Sequence, residues 1–351
     1  MRLNIFGFGN AAKDATAAQM AAAATGEHPA LADQVKELSS PPASRSKGAR
    51  STAAQSLGSK SAAGKSRASA SKLQVPPALS ETLKKRVKWL LSQLEQHRER
   101  IEPALNSGDN EAFVSAMKSF QAFTAAYSDI VAYDAFEIGP AFTEYHEFFL
   151  RATLQFAWRM EERAIEEVME ASLKKGDKLK SLVGECVRGA YTRMEELPTL
   201  VDFSQFRSIV VLGCGKFPSS LFYLQDETAI PAIVGVDNDR DAAQCANALI
   251  RKFNLDRVRV IEADAATLNY SYFDAIYFGP FASPRKDVMK RIRATVRGNA
   301  TIILRDPVLT GSLGLEKVLP FMEPAFTLLR SGDPINNRGR FMLRHYILKP
   351  R

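Results

Sequence analysis

The chain has 351 residues, 46% of them hydrophobic and 25% charged, which suits a globular protein with room for two domains. Its net charge of +8 is unevenly spread: ten Lys/Arg stand against four Asp/Glu before Ser80, leaving 37 against 35, or +2, in the rest. A basic, nucleic-acid-binding body is therefore not expected; any phosphate contact would fall to the tail. Cys186, Cys214 and Cys245 lie far apart without Cys-x-x-Cys spacing, and His28, His97, His146 and His345 are as scattered, so neither a disulfide framework nor a metal site is expected. No apolar run approaches the about 18 residues of a membrane span. The alanine-rich Ala15–Ala24, broken by Thr16 and Gln19, is too weakly apolar for a signal-peptide core. A cytoplasmic location is the expectation, with an organellar transit peptide left open by the Arg/Ser/Ala bias of the tail.

Residues 1–75 read as a disordered tail. From Gly26 to Lys72 the chain is Ala, Ser, Lys and Gly with almost no aromatics, too little apolar area to offset the entropy of ordering. Gly64-Lys65-Ser66 has the look of a phosphate-loop ending, but no strand precedes it, and coincidence is the better explanation. Ile5, Phe6 and Phe8 form either a docking peptide or a frayed end, the second being favoured.

Residues 76–200 read as a helical domain. Pro76 and Pro77 close the tail, and Ser80 offers an N-cap to a helix carrying Leu83, Val87, Leu90, Leu91 and Leu94 at helical spacing. Helical periodicity returns in Phe113, Met117, Phe120 and Phe123, then over 142–169 and over 179–194. Phe148, Phe149, Phe156 and Trp158 are expected in a core or an interdomain seam. Glu161, Glu162, Glu166 and Glu167 read as a solvated face from which one carboxylate can look into a cleft.

Residues 201–351 alternate differently. Strand-like runs at 208–212, 232–236, 257–261, 274–278, 300–304, 326–330 and 341–348, mostly separated by helical stretches, predict a parallel α/β sheet covered on both faces. The last two are joined by a short polar segment without a helix and should pair antiparallel.

Ligands of such sheets bind beyond the carboxyl ends of the strands, where strand order reverses. The first strand runs into Gly213, Cys214 and Gly215, whose glycines lack the Cβ that would keep backbone amides from a ligand, with Pro218 opening the next helix. The second ends in Asp237 and Asn238. Asp237 is suited to the two hydroxyls of a ribose, the alternative being a helix cap, a role Asn238 and Asp239 can also fill. After the third come Asp264 and Ala265, placed for an adenine amino group or, about equally, for a helix cap. After the fourth come Phe278, Gly279, Pro280, Phe281 and Ala282, facing the reacting end. Asp274 reads as structural, Arg305 and Asp306 as a pair with each other, and Cys214 as a small residue rather than a nucleophile.

This order resembles the adenosine site of class I S-adenosyl-L-methionine (SAM) dependent methyltransferases. The fold it implies is a Rossmann-like seven-stranded sheet with an N-terminal helical domain. Within that class, 191–349 resembles the catalytic domain of nicotianamine synthases and the related opine-metallophore synthases. The glycine motif Gly-x-Gly-x-Leu-Pro-x-(Ser/Thr) is met by Gly213, Gly215, Phe217, Pro218 and Ser220 or Ser219; Ile303-Leu304-Arg305, Gly311 and Leu319-Pro320 fit the family's fifth strand and the stretch downstream of it. Gly279-Pro280-Phe281 and Asp306-Pro307 depart from the family's pattern. The resemblance implies a tyrosine and a glutamate from the helical region, for which Tyr191 and Glu162 are nearest; His146, a further candidate base, reads better as a core or surface residue. The expected function is SAM-dependent methyl transfer to a small-molecule acceptor. The alternatives are transfer of the 3-amino-3-carboxypropyl group of SAM to an amine, and a non-catalytic SAM-binding interaction protein. A homodimer is compatible with either enzyme.

Overall fold

The computed structural model describes residues 79–173, 177–182, 185–322, 325–333 and 342–351. The tail, including Gly64-Lys65-Ser66 and the opening apolar residues, lies outside them. Everything described belongs to one compact unit, Lys72–Arg351.

Ser80 caps the first helix: its hydroxyl accepts the amide of Leu83 at 3.3 Å. Helix α1 (Glu81–Ser107) ends at Gly108, which takes the left-handed conformation at φ 76°. Asp109 and Asp129 cap α2 (Asn110–Ala126) and α3 (Ile130–Glu137) in the same way, each carboxylate accepting an amide three residues on. Then comes α4 (Phe142–Met169). The helicity expected over 179–194 divides into a 3-10 turn at Leu179–Ser181 and α5 (Glu185–Met194), followed by the short α6 (Leu197–Leu200).

Beyond Ser208 the elements run β1 (Ser208–Leu212), α7 (Ser219–Glu227), β2 (Ala232–Asp237), α8 (Arg240–Lys252), β3 (Val258–Glu262), β4 (Ala275–Phe278), α9 (Arg285–Thr295) and β5 (Thr301–Pro307). A 3-10 turn (Leu309–Leu313), α10 (Leu319–Met322), β6 (Phe326–Ser331) and β7 (Leu343–Pro350) complete the chain. All seven strands form one sheet in the order β3-β2-β1-β4-β5-β7-β6. β1 to β5 are mutually parallel, and β7 runs antiparallel to both β5 and β6. Every residue of β1 and of β5 is buried, as expected of strands covered on both faces: the apolar runs Ile209–Leu212 and Ile302–Leu304 fill the core, and Arg305 and Asp306 are buried beyond the second of them.

Two apolar cores result. One joins α1 to α4 with Leu313, Leu315 and Leu343; the other joins the sheet to α5, α7 and α8. Helix α4, 28 residues and so about 42 Å long, belongs to both: Tyr145 to Phe156 lie in the first core, Ala164 and Val168 in the second. Its middle turn therefore crosses the seam between them. Phe148, Phe149 and Phe156 are core residues, whereas Trp158, on that turn, is 54% exposed. No described helix is long and apolar enough to cross a membrane.

Candidate functional site

Strand order reverses between β1 and β4, and the chain after β1 turns there through two left-handed glycines, Gly213 at φ 66° and Gly215 at φ 70°. A Cβ on Gly213 would lie 2.9 Å from the Ala282 backbone, so the segment after β4 closes directly over this turn. The amides of Gly213 and Cys214 donate to the Val236 carbonyl at 2.9 and 3.2 Å, and that of Gly215 donates to Asp237 Oδ2 at 2.8 Å. Asp237 Oδ1 accepts the Asp239 amide at 3.0 Å. The cap of α8 is Asp239, which takes the amides of Asp241 and Ala242. Asp237 is thus a loop-facing carboxylate, each oxygen of which carries one backbone donor and keeps acceptor capacity for another.

From the opposite side α4 brings Glu161. Its Oε2 accepts the Lys216 amide at 2.9 Å, and its carboxylate fills the space that a Gly215 Cβ would need. Burial pushes its carboxyl up to about 7; amide hydrogen bonds from Lys216 and Phe217 oppose this, while the Asp237 charge adds to it. Glu162, one residue and about a hundred degrees further round the helix, is exposed and pairs with Lys216 Nζ at 3.2 Å. The carboxylate brought to the turn is Glu161.

The other candidates serve the turn, its neighbours or the frame of the sheet. Cys214 is buried, which raises its thiol well above the usual range, and its sulfur packs against Gly235 of β2; it holds the turn and offers no thiolate. Pro218 is buried at the start of α7, and Asn238 is exposed beside Asp237. Asp264 is exposed and closes its own turn, accepting the Ala266 amide at 2.8 Å, while the Ala265 carbonyl accepts from the Tyr270 hydroxyl at 2.7 Å. Phe278 is buried under the Arg285 guanidinium, and Gly279 passes close to the Leu212 carbonyl. Asp306, expected to pair with Arg305, pairs with Arg285 of α9. Its carboxylate takes Arg285 at 2.8 Å and the amides of Val318 and Leu319, fixing the loops after β4 and β5 to each other.

Tyr191 and His146 are held elsewhere. The Tyr191 hydroxyl donates to Asp226 in the last turn of α7, with the Phe222 carbonyl 3.3 Å away, and its ring packs edge-on against Tyr223. His146 Nδ1 lies 2.8 Å from the Ser312 carbonyl, stacked on Phe142, and ties α4 to the turn after β5. Tyr191→Phe is expected to cost about 1 kcal/mol of stability, the net worth of one buried hydrogen bond, and to leave ligand affinity unchanged; a denaturant titration beside a binding titration checks both. Gly215→Ala should act in reverse. A Cβ there requires the left-handed conformation, costing about 1–2 kcal/mol, and evicts the Glu161 carboxylate, so a calorimetric titration should show SAM affinity falling by more than tenfold.

The sheet order with its reversed seventh strand, and a glycine turn facing an acid at the switch point, define the class I SAM-dependent methyltransferase fold. Within that class the likeness is to nicotianamine synthase. MtNAS in complex with MTA and tNA superposes with a TM-score of 0.61 at 16% identity, over 78% of this chain and 100% of that one. A glutamate-to-glutamine mutant of MtNAS gives 0.58 at 15% identity, and the same mutant in complex with S-adenosylmethionine 0.58 at 16%, each over 78% of this chain and 99% of that one. No protein-family model and no curated protein matches the sequence.

Proposed function

We propose that the chain is a SAM-dependent transferase acting on a small-molecule acceptor. The carrying observation is the junction at Gly215, where a carboxylate from β2 and a carboxylate from α4 hold consecutive amides of one left-handed turn. The turn suits an adenosine-bearing ligand: its glycines let Glu161 and the segment after β4 close against the backbone, and Asp237 keeps acceptor capacity for ribose hydroxyls. When bound, SAM supplies a sulfonium-activated carbon open to attack by an acceptor lone pair. The protein's share is to hold the reactants in line and exclude water. Helix α4 covers the turn, the segment after β4 covers Gly213, and Glu161, poised near neutrality, is the candidate to take the acceptor's proton.

Of the two groups that SAM can give, the 3-amino-3-carboxypropyl group is favoured here. MtNAS superposes along its whole length, the helical part included, and the helical part is what supplies Glu161. Methyl transfer, the leading expectation from the breadth of the fold, is the second reading. Incubation with SAM and a metabolite extract, followed by mass spectrometry, separates them. Methylthioadenosine accumulates if the four-carbon group moves and S-adenosylhomocysteine if the methyl does; accumulation of neither, with SAM unconsumed, would leave only the binding-protein alternative.

A further inference from the structure

We infer that Glu161 is the residue by which this site distinguishes SAM from its spent forms, which lack the sulfonium charge, releasing a proton to solvent when a sulfonium enters. The inference rests on the proposed function and goes beyond it by assigning the selectivity to one group.

Asp237 and Glu161 approach the same turn from opposite sides, bonded to the adjacent amides of Gly215 and Lys216 at 2.8 and 2.9 Å, with no side chain on Gly215 between them. Neither is in an ion pair among the described residues. The ammonium of Lys216, the cation of the loop, is turned outward to Glu162 at 3.2 Å. The other titratable groups facing Glu161 are the thiols of Cys214, in the loop, and Cys245, on α8. Burial is the main penalty on an ionised Glu161 and the nearby Asp237 charge adds to it, against the amide hydrogen bonds and the Lys216 charge, so Glu161 holds its proton up to about 7. A ligand with a fixed positive charge removes the penalty; a neutral thioether does not. By linkage, a cation that favours the ionised carboxyl must itself bind more tightly as that proton is lost.

The direction of the pH dependence is set by this exchange. Below the apo value of about 7, SAM must displace the Glu161 proton, so its affinity should rise about tenfold for each pH unit gained there and level off above it. S-adenosylhomocysteine carries the same ammonium and carboxylate as SAM without the sulfonium, and methylthioadenosine carries none of the three. Together they control for titration of the ligand.

The test is calorimetric titration of the full chain with SAM, S-adenosylhomocysteine and methylthioadenosine between about pH 6 and pH 8, each in two buffers of different ionisation enthalpy. The expected result is proton release with SAM alone, larger at about pH 6 than at about pH 8, and its loss in Glu161→Gln, whose amide oxygen still accepts the Lys216 N–H. SAM binding without proton linkage, or linkage that persists in Glu161→Gln, would overturn the inference while leaving the proposed function standing. Should none of the three ligands bind, the functional reading itself fails and the inference with it. The wild-type buffer comparison does not depend on how well the variant folds.

Discussion

Asp237→Ala is expected to weaken SAM binding by about ten- to a hundredfold, the worth of about 1–3 kcal/mol of charge-assisted hydrogen bonding. The loss has two sources. The carboxylate is the acceptor proposed for the ribose, and it also holds the Gly215 and Asp239 amides that shape the turn. Asp239→Ala is the control, because the Asp239 carboxylate caps α8. It should cost about 1 kcal/mol of stability and leave binding close to wild type. Calorimetric titration and thermal melts of the two variants side by side separate these effects; equal affinities would mean that Asp237 serves only the backbone.

The second large effect is on stability. Asp306→Ala is expected to cost about 3–5 kcal/mol, because it leaves the Arg285 guanidinium buried without its counter-charge. Both side chains are 2% exposed at a contact of 2.8 Å. Burial alone pulls Arg285 down and pushes Asp306 up, each opposing ionisation, so it is the pairing that keeps both charges in place. The same carboxylate accepts the Val318 and Leu319 amides, and the guanidinium donates to the carbonyls of Arg305 and Glu316. Losing Asp306 therefore loosens both loops at the reacting edge of the sheet. Replacing the pair together, Arg285→Met with Asp306→Leu, removes the stranded charge and should recover a large part of the loss; chemical denaturation of the single and double variants checks the recovery.

The sheet was legible because its strands are short apolar runs between turn residues. Each observed strand overlaps its sequence expectation, and the absence of a helix between the last two runs carried their antiparallel pairing. Helix α3 was harder to see. It has eight residues, fewer than the length over which helical periodicity becomes distinct, and its exposed Ile130 and Val131 blur the pattern. In the site, Gly213, Gly215 and Asp237 declare themselves by following apolar strands, since backbone geometry there depends on local sequence.

The carboxylate that meets the glycine turn lies one residue from the expected Glu162, and the signal for its position was present. Ala164 and Val168 face the second core, so the residue three before Ala164 and seven before Val168 lies on the same stripe: Glu161, not Glu162. Distance from the glycine turn, which selected Glu162, cannot fix a helical phase. Tyr191 marks a limit of another kind. Sequence gives α5 its helicity but not the side of α7 on which it packs, and packing against Tyr223 and Asp226 takes the hydroxyl to the far end of that helix. Asp306 shows the same limit, since its partner Arg285 comes from another crossover of the sheet.

Titrating the purified full chain with SAM in a calorimeter tests the central claim most directly. A single site per chain is expected, with affinity lost in Asp237→Ala and retained in Tyr191→Phe. Absence of any binding heat from SAM, S-adenosylhomocysteine and methylthioadenosine, with the protein folded by circular dichroism, would contradict it.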